Sequence, residues 1–265
     1  MLCGEKWMHS VYRAGKAVLP KWVKIIVNRR IQQRIDVLPE PVRVAIRNLS
    51  NEIQIARMVE YSAKSFEALR DRKWLKVQLG CGRDIKLGWV NIDLARRIPS
   101  GIDLAAHSDT ILIGYDLRRG LPLEEGSCDI IYSEHFFEHL EYRYGIGLMR
   151  DCYRALCPGG IFRIVLPNMK GCFDAYLRGD WHYFDLIDIF DTQPKIEPGT
   201  DTLIDQINYG VYQHGEHKWC YDEEKLVKVL QWIGYSSVVS SSYQKEMDSD
   251  EPTRLRYSFY MEAVK

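Results

Sequence analysis

The sequence predicts an α/β protein built around a mostly parallel sheet. Of its 265 residues, 46% are apolar, which is ample for a folded core. From residue 74 onward, short apolar runs alternate with helical stretches, as in β-α-β units. Several of these runs end at Gly or acidic residues, which is typical of the ligand-binding edge of such a sheet.

Seven strands and, besides a helix at residues 17–35, four helical segments are predicted in chain order. The strands are 75–79, 89–92, 110–115, 129–133, 161–166, 236–240 and 257–263. The helical segments are 42–72, 136–142, 146–155 and 222–232, and Gly234 is the expected stop of the last one. Between the third helical segment and the fifth strand, LCPGG at 156–160 predicts a helix-ending turn.

The chain divides into a basic helical extension, residues 1–72, and a main domain, residues 73–265. The extension holds 14 basic and seven acidic residues, which leaves 22 basic and 29 acidic residues for the main domain. A basic appendage suits an anionic surface such as a membrane or a nucleic acid. Because the main domain is acidic, we do not expect it to grip a phosphate backbone.

Residues 17–35 predict an amphipathic helix, with Trp22 and Ile25 on one side and Lys21 and Lys24 on the other. Two interpretations stay open. The helix packs on its own domain or on a dimer partner, or it lies peripherally in a membrane interface. The oligomeric state is not indicated by the sequence.

We expect a cytoplasmic protein, with peripheral membrane contact through residues 17–35 as the open alternative. No apolar run approaches the ~20 residues of a membrane span. The start of the chain, MLCGEKWMHSVYR, lacks the apolar core and cleavage site of a signal peptide. Seven Cys are scattered without a C-x-x-C pair, which suits a reducing compartment and argues against a disulfide scaffold or a structural zinc site.

The strongest local signal is VQLGCGRDIKLGWVNID at residues 77–93. Gly80 and Gly82 allow tight turns and a close approach of the backbone to a ligand. Asp93, at the end of the next strand, can accept hydrogen bonds from both hydroxyls of a ribose, and Asp103 is its competitor for that role. A glycine turn of this length also occurs in parallel sheets that bind nothing there.

Four further motifs follow in order: Asp116-Leu117, GSCDIIYSEHFFEHL at 126–140, LCPGG, and the strand IFRIVLP at 161–167. Together with the leader, they make residues 75 to 265 resemble a class I S-adenosylmethionine-dependent methyltransferase. The leader L-G-C-G-x5-G-W-x-N-x-D is similar to that of a subgroup often associated with bacterial surface-glycan and natural-product pathways. The resemblance implies a Rossmann-like, mostly parallel seven-stranded sheet with helices on both faces, and S-adenosylmethionine as cofactor.

The resemblance also implies which residues bind the cofactor. They are Leu79, Gly80, Cys81, Gly82, Asp93, Asp116, Leu117, Ser133 and Glu134. Asp93 would hold the ribose hydroxyls, and Asp116 and Leu117 would face the adenine. Glu134 would lie near the sulfonium, whose positive charge a carboxylate attracts. Because only residues 80–88 separate the first two strands, the helix expected after the glycine loop must be very short or absent.

A dinucleotide-dependent oxidoreductase is the natural rival at a glycine turn. Its fingerprint is G-x-G-x-x-G with an acid about 20 residues further on. Here Ile85 stands at the third glycine position, and Asp93 follows Gly82 by 11 residues. Both points favour S-adenosylmethionine, which has no pyrophosphate to place on a helix N-terminus.

Residues 135–139 spell H-x-x-E-H, the inverted form of a zinc-protease motif. At the mouth of a nucleotide-type sheet we do not interpret it as a peptidase. We favour a hydrogen-bonded helix anchor made by Glu138 and His139. The alternative is a divalent metal site, because ubiquinone-biosynthesis O-methyltransferases are similar here and use acid and His residues of this helix to hold an ion near the acceptor hydroxyl. We assign no metal ligand from the sequence.

Residues 169–221 form a long aromatic and acidic connection, which we interpret as a cap over the site. Aromatic faces beside carboxylates suit a hydroxylated ring such as a sugar. The alternative is a small helical layer whose aromatic residues are its own core. His214 and His217 are candidates for reaching the acceptor, and His217 is equally a candidate for a hydrogen bond at the entry of the next helix.

The expected reaction is methyl transfer from S-adenosylmethionine to a hydroxyl of a sugar, glycolipid or natural-product intermediate. His135 is the first candidate for the general base, and His214 and His217 are further catalytic candidates. No N/D-P-P-Y motif follows the fourth strand, which favours oxygen over a base nitrogen. Two alternatives stay open: a non-catalytic scaffold that keeps the fold, and a nucleic-acid methyltransferase that grips its substrate with the basic extension.

Overall fold

The computed structural model describes residues 34–94, 109–186 and 202–265. The amphipathic helix predicted for residues 17–35 and the competitor acid Asp103 lie almost wholly outside these ranges; only residues 34 and 35 of that helix are described, and they are helical. The chain divides into two compact units, Met1–Gln54 and Ile55–Lys265. Helix α1, Glu40–Glu67, contributes to both, and everything described below belongs to the second unit.

Within the described residues, seven strands form one sheet in the order β3-β2-β1-β4-β5-β7-β6. The strands are β1 Leu75–Leu79, β2 Val90–Asp93, β3 Ile111–Gly114, β4 Cys128–Glu134, β5 Leu156–Pro167, β6 Ser237–Ser241 and β7 Ser258–Val264. The first five strands are parallel, and β7 runs antiparallel to β5 and β6. The predicted Rossmann-like, mostly parallel seven-stranded sheet is confirmed.

Apolar side chains of the strands and helices form the main core. Val77, Leu79, Ile92 and Ile131 are fully buried in this core, although polar residues such as Gln78 and Asn91 alternate with the apolar ones along β1 and β2. The remaining helices are α2 Tyr142–Ala155, α3 Met169–Arg178, α4 Leu203–Tyr212, α5 Glu223–Ile233 and α6 Pro252–Tyr257. No described helix is long and apolar enough to cross a membrane.

Two local predictions are wrong. In place of a helix over 136–142, the chain forms one 3-10 turn, Phe137–His139, because His135 has a positive φ of 46° and Leu140 is already extended. Helix α2 ends at Ala155, directly before LCPGG as predicted, but the segment 156–160 is not a turn and belongs to β5. It is held there because the N–H of Gly159 donates to the carbonyl of Lys265 at 3.1 Å, so the end of the chain pairs with it.

The strand order brings several chain turns to one edge of the sheet. The carboxyl ends of β1, β2, β3 and β4 lie side by side there, and the chain order reverses between β1 and β4. In open α/β sheets, ligands bind in the crevice at such a reversal. The glycine turn after β1 and the His-containing turn after β4 therefore flank the same crevice.

Candidate binding site at the carboxyl edge of the sheet

A cavity of about 400 Å³ lies at the carboxyl ends of β1, β2 and β4. That volume is in the range of small-molecule sites. Its lining comes from three parts of the chain: the edge turns, the segment 213–217 before α5, and the connection between β6 and β7. The lining residues are Gln78, Gly80, Cys81, Gly82, Arg83, Asp84, Asp93, Glu134, His135, Phe136, Glu138, His139, Gln213, Glu216, His217, Ser249, Glu251 and Arg254.

The glycine turn has two different surfaces. Gly80 has a φ of +68°, and a Cβ there would overlap the ring of Phe136. Gly82 has a φ of +54°, and a Cβ there would meet nothing within 4 Å. Both positions favour glycine for their backbone conformation. Gly80 is therefore needed to admit Phe136, whereas Gly82 leaves open space beside the cavity.

Asp93 fastens this turn to β2. Its Oδ2 accepts a hydrogen bond from the N–H of Gly82 at 2.8 Å, and its Oδ1 accepts one from the N–H of Leu94 at 2.5 Å. Cys81 lies between Gly80 and Gly82 in the same turn, near the carboxylate of Asp93. Burial, with the nearby charge of Asp93, raises the pKa of the Cys81 thiol to about 12, so the thiol stays protonated and is not a nucleophile near neutral pH.

Acidic groups dominate the electrostatics of the cavity. Among the described residues, six carboxyl side chains and two arginines line it. Glu134 is buried, and its Oε2 accepts hydrogen bonds from the Tyr132 hydroxyl at 2.7 Å and from the N–H of Ser249 at 3.2 Å. Because low-dielectric walls focus such a field, the cavity favours a cationic ligand.

His135 lies at the end of β4 in a strained backbone conformation. Its Nε2 is 2.7 Å from the Oγ of Ser258, and its Nδ1 is 3.6 Å from Oε1 of Glu138. Burial, with the nearby charge of Arg254, holds the pKa of His135 well below its usual value of 6.5. The imidazole is therefore neutral near pH 7 and able to accept a proton.

A second cavity of about 360 Å³ adjoins the first. The two share His135, Gln213, His217, Glu251 and Arg254. Elsewhere the second cavity is lined by apolar and hydrogen-bonding groups: Pro167, Asn168, Met169, Cys172, Leu186, Tyr209, Gly210, Thr253 and Tyr257. His135 thus stands where the two cavities meet.

The cap contributes less aromatic surface to this site than its sequence indicates. Its described part is helical, with a small core of Met169, Cys172, Ala175, Phe184 and Ile207. Of the described aromatic residues predicted for the cap, Tyr209 alone lines either cavity. The others include exposed rings such as Trp181 and Tyr212. The described part of the segment 169–221 is therefore a helical layer, but most of the described aromatic residues in it are not its core.

The structure brings together seven of the predicted site residues and leaves five aside. Gly80, Cys81, Gly82, Asp93, Glu134, His135 and His217 line the first cavity. In the described part of the chain, Leu79, Asp116, Leu117, Ser133 and His214 line neither cavity. Their implied roles stay predictions.

Local contacts account for several of the residues that stand aside. Asp116 caps the 3-10 turn Leu117–Arg119 and pairs with Arg118, whose terminal nitrogen lies 2.9 Å from Oδ2. The hydroxyl of Ser133 donates to the carbonyl of Leu79 at 3.3 Å. His214 packs edge-on against Tyr209, with ring centroids 5.4 Å apart.

Among the lining residues that were missed in the sequence are Ser249, Glu251 and Arg254. They come from the connection between β6 and β7, which a buried ion pair holds on the sheet. Arg163 of β5 is fully buried, and its Nε donates to Oδ1 of Asp248 at 2.8 Å. Glu251-Pro252 is a helix-start signal that could have located α6, but no local pattern places it at the cavity.

Glu138, His139 and His217 also come together, with one possible ligand atom of each within 4.8 Å of the others. The first two belong to the H-x-x-E-H motif. His217 comes from the far end of the cap and lines both cavities. The sequence singled out each of them, but not as one group.

Residues 77–164 match a protein family described as "Methyltransferase domain". A curated relative is a probable S-adenosylmethionine-dependent methyltransferase of Mycolicibacterium smegmatis, 31% identical over 100 residues. That match covers 35% of this chain and 37% of the relative. The chain thus spans little more than a third of the length of the curated protein it matches.

Solved structures with similar folds include further methyltransferases. A putative O-methyltransferase of Nostoc punctiforme has a TM-score of 0.46 at 14% identity, over 78% of this chain and 56% of its own. Phosphoethanolamine N-methyltransferase 2 of Haemonchus contortus has a TM-score of 0.44 at 12% identity, over 77% and 51%. A methyltransferase of Archaeoglobus fulgidus has 0.41 at 15% identity, over 81% and 94%.

Proposed function

We propose that this chain, whose residues 77–164 form a class I S-adenosylmethionine-dependent methyltransferase domain, transfers a methyl group from S-adenosylmethionine to an acceptor hydroxyl. The observation that carries the proposal is the cavity at the carboxyl edge of the sheet, where the strand order reverses between β1 and β4. It combines an open glycine, a carboxylate at the end of β2 and an excess of acidic side chains.

The residues present fit the cofactor. The turn of Gly80 to Gly82 would hold its methionine and ribose part, and Asp93 would hold the ribose hydroxyls. A Cβ on Gly82 would meet no atom within 4 Å, so a ligand has room to approach the backbone there. When bound, the cofactor supplies an electrophilic methyl group on a positively charged sulfur, which the carboxylates of the cavity favour.

His135 is the proposed proton acceptor. It is neutral near pH 7 and lies where the cofactor cavity meets the second cavity. A hydroxyl nucleophile must lose its proton as it is methylated, and a positioned base contributes typically about 10²–10⁴-fold to such a step. The oxygen of Ser258, 2.7 Å from Nε2, orients the ring.

The second cavity is the proposed acceptor site. Asn168, Gln213 and Glu251 offer hydrogen-bonding groups there, and Met169 and Tyr209 offer apolar and aromatic surface. This combination suits a hydroxylated ring, so we propose a sugar, glycolipid or natural-product intermediate as acceptor. Alignment of acceptor and methyl donor in adjoining cavities supplies the proximity on which methyl transfer depends.

Turnover tests the proposal. The release of S-adenosylhomocysteine is measured with panels of sugars, glycolipids, phenols and amines. We compare the natural chain with His135→Asn, since Asn tolerates a positive φ, and with His182→Asn as control, because His182 is exposed and lines neither cavity among the described residues.

We expect turnover with a hydroxyl acceptor, a kcat lower by about 10²–10⁴-fold in His135→Asn, and no change in His182→Asn. Cofactor binding should be the same in all three proteins. Methylation of amines alone, or full activity of His135→Asn, would contradict the proposal.

A further inference from the structure

We propose that Glu138, His139 and His217 bind one divalent metal ion at the wall of the first cavity. One ligand atom from each side chain lies within 4.8 Å of the others, as a single ion requires. Two imidazoles and one carboxylate form a recurrent metal-binding set that leaves coordination positions open.

Glu138 supplies the first argument. Its side chain is 3% exposed, and neither carboxylate oxygen has a hydrogen-bond partner among the described residues. The nearest imidazole nitrogens, Nδ1 of His135 and Nε2 of His139, lie 3.6 and 4.0 Å from Oε1, which is too far for a hydrogen bond. A buried carboxyl group without a partner is costly, and a bound cation would satisfy it.

The two histidines supply the second argument. Nδ1 of His217 lies 2.8 Å from the carbonyl oxygen of Gly210, and Nδ1 of His139 lies 3.3 Å from that of Glu216. A carbonyl oxygen only accepts, so each Nδ1 carries the proton and each Nε2 carries the lone pair. Metal-ligating histidines are usually held in this way, with the non-ligating nitrogen donating to a carbonyl or carboxylate.

The backbone assembles the three ligands in advance. The N–H groups of Lys218 and Trp219 donate to the carbonyl oxygen of Glu138 at 2.7 and 3.2 Å. These bonds fasten the segment that carries His217 to the turn that carries Glu138 and His139. The rings of His139 and His217 meet edge to face, with centroids 4.9 Å apart. The predicted hydrogen-bonded anchor is made by the Glu138 carbonyl and by His139, whereas the Glu138 carboxyl accepts no hydrogen bond in the described structure and is left for another role.

The donor set narrows the choice of ion. Two nitrogens and one carboxylate suit Zn²⁺, Mn²⁺, Fe²⁺ or Co²⁺, whereas Mg²⁺ and Ca²⁺ prefer oxygen ligands throughout. The ligands adjoin His135, where the two cavities meet. If methyl transfer proceeds as proposed above, the ion would polarise the acceptor oxygen; this role rests on the proposed function, but metal binding itself does not.

Titration with Co²⁺ tests the site on the full chain after treatment with a chelator. Visible absorption of bound Co²⁺ reports its coordination, and competition by Zn²⁺ and elemental analysis give affinity and stoichiometry. The variants are Glu138→Gln and His217→Ala. His182→Ala is the control, since His182 is largely exposed and pairs with Asp185 instead.

We expect one ion per chain, at least about 100-fold weaker binding in both ligand variants, and unchanged binding in the control. Circular dichroism verifies that each variant folds. If Glu138→Gln does not fold, the affinity of His217→Ala for Co²⁺ alone tests the proposal. The proposal is overturned if the folded natural chain binds no Co²⁺ saturably, or if both ligand variants bind it as the control does.

Binding of S-adenosylhomocysteine, measured on the same samples, separates this proposal from the proposed function. If the natural chain binds the cofactor but no metal, the proposed metal site is contradicted and the proposed function is not. Metal binding without cofactor binding would instead contradict the proposed function and leave the metal site standing.

Discussion

Two walls of the first cavity differ in how their polar groups are satisfied. The glycine wall consists of Gly80 to Gly82 and Asp93, and the histidine wall consists of Glu138, His139 and His217. On the glycine wall, both oxygens of Asp93 accept backbone hydrogen bonds. On the histidine wall, the carboxylate of Glu138 accepts none within the described structure.

The two proposals above assign a different kind of ligand to each wall. A wall made of backbone and an anchored carboxylate presents fixed hydrogen-bonding groups and open space to an organic molecule. A wall with a buried, unpartnered carboxyl and two imidazoles of fixed tautomer presents the donor set of the proposed cation. The cofactor and the ion would therefore occupy different walls of one cavity.

The largest expected effect falls on the glycine wall. In Gly80→Ala, the new Cβ overlaps Phe136 and the residue keeps a positive φ, so unfolding should require less free energy by about 2–5 kcal/mol. Gly82→Ala is the matched control: its φ is also positive, but nothing lies within 4 Å, and about 1–2 kcal/mol is expected. Urea unfolding measures both, and equal losses would show that Phe136 does not pack on Gly80.

The second prediction concerns the histidine wall and compares how the free energy of unfolding depends on pH in the natural chain and in Glu138→Gln. Burial raises the pKa of Glu138 to about 8 in the folded protein, against about 4.3 in the unfolded chain. Between these values the folded state holds a proton that the unfolded state has lost. The stability of the metal-free protein therefore falls as pH rises, by about 1.4 kcal/mol per pH unit, and levels off above the folded pKa.

The glutamine variant lacks this titration, so its stability relative to the natural chain should improve steadily between about pH 6 and 8. Urea unfolding in the presence of a chelator measures this difference at several pH values. Other titrating groups are common to both proteins and cancel. A difference that stays constant with pH would mean that Glu138 is not buried as described.

The smallest expected effect is at Asp116. Its carboxylate pairs with Arg118 and lines neither cavity in the described structure. We therefore expect Asp116→Ala to weaken binding of S-adenosylhomocysteine by less than about fivefold, or about 1 kcal/mol. A loss of more than tenfold in calorimetric titration would instead support the adenine-facing role that the family resemblance implies.

The parallel part of the fold was predictable because its signals are local. The run before Gly80 and the acid at Asp93 each follow from a few neighbouring residues, and parallel strands place their ends at one edge. The turn after β4 was not predictable in the same way. Its residues have helical spacing, but the positive φ of His135 prevents a helix from starting there.

The remaining wall of the site depends on contacts between distant residues. Arg254 reaches the cavity because Arg163 holds Asp248, 85 residues away in sequence, against the sheet. His217 reaches Glu138 because backbone bonds join their segments. Neither pairing leaves a periodic signal in the sequence, so the cofactor side of the site and the motif of Glu138 and His139 could be anticipated, but their grouping with His217 could not.

Calorimetric titration with S-adenosylhomocysteine tests the central claim most directly. The natural chain should bind one molecule saturably and should not bind NAD. Asp93→Ala should bind S-adenosylhomocysteine at least about 100-fold more weakly. The variant loses the hydrogen bonds that the two ribose hydroxyls would donate to the carboxylate, and each such bond to a charged group contributes about 1.5–3 kcal/mol. Absence of saturable binding by the folded, metal-supplemented chain, or undiminished binding by Asp93→Ala, would contradict the account.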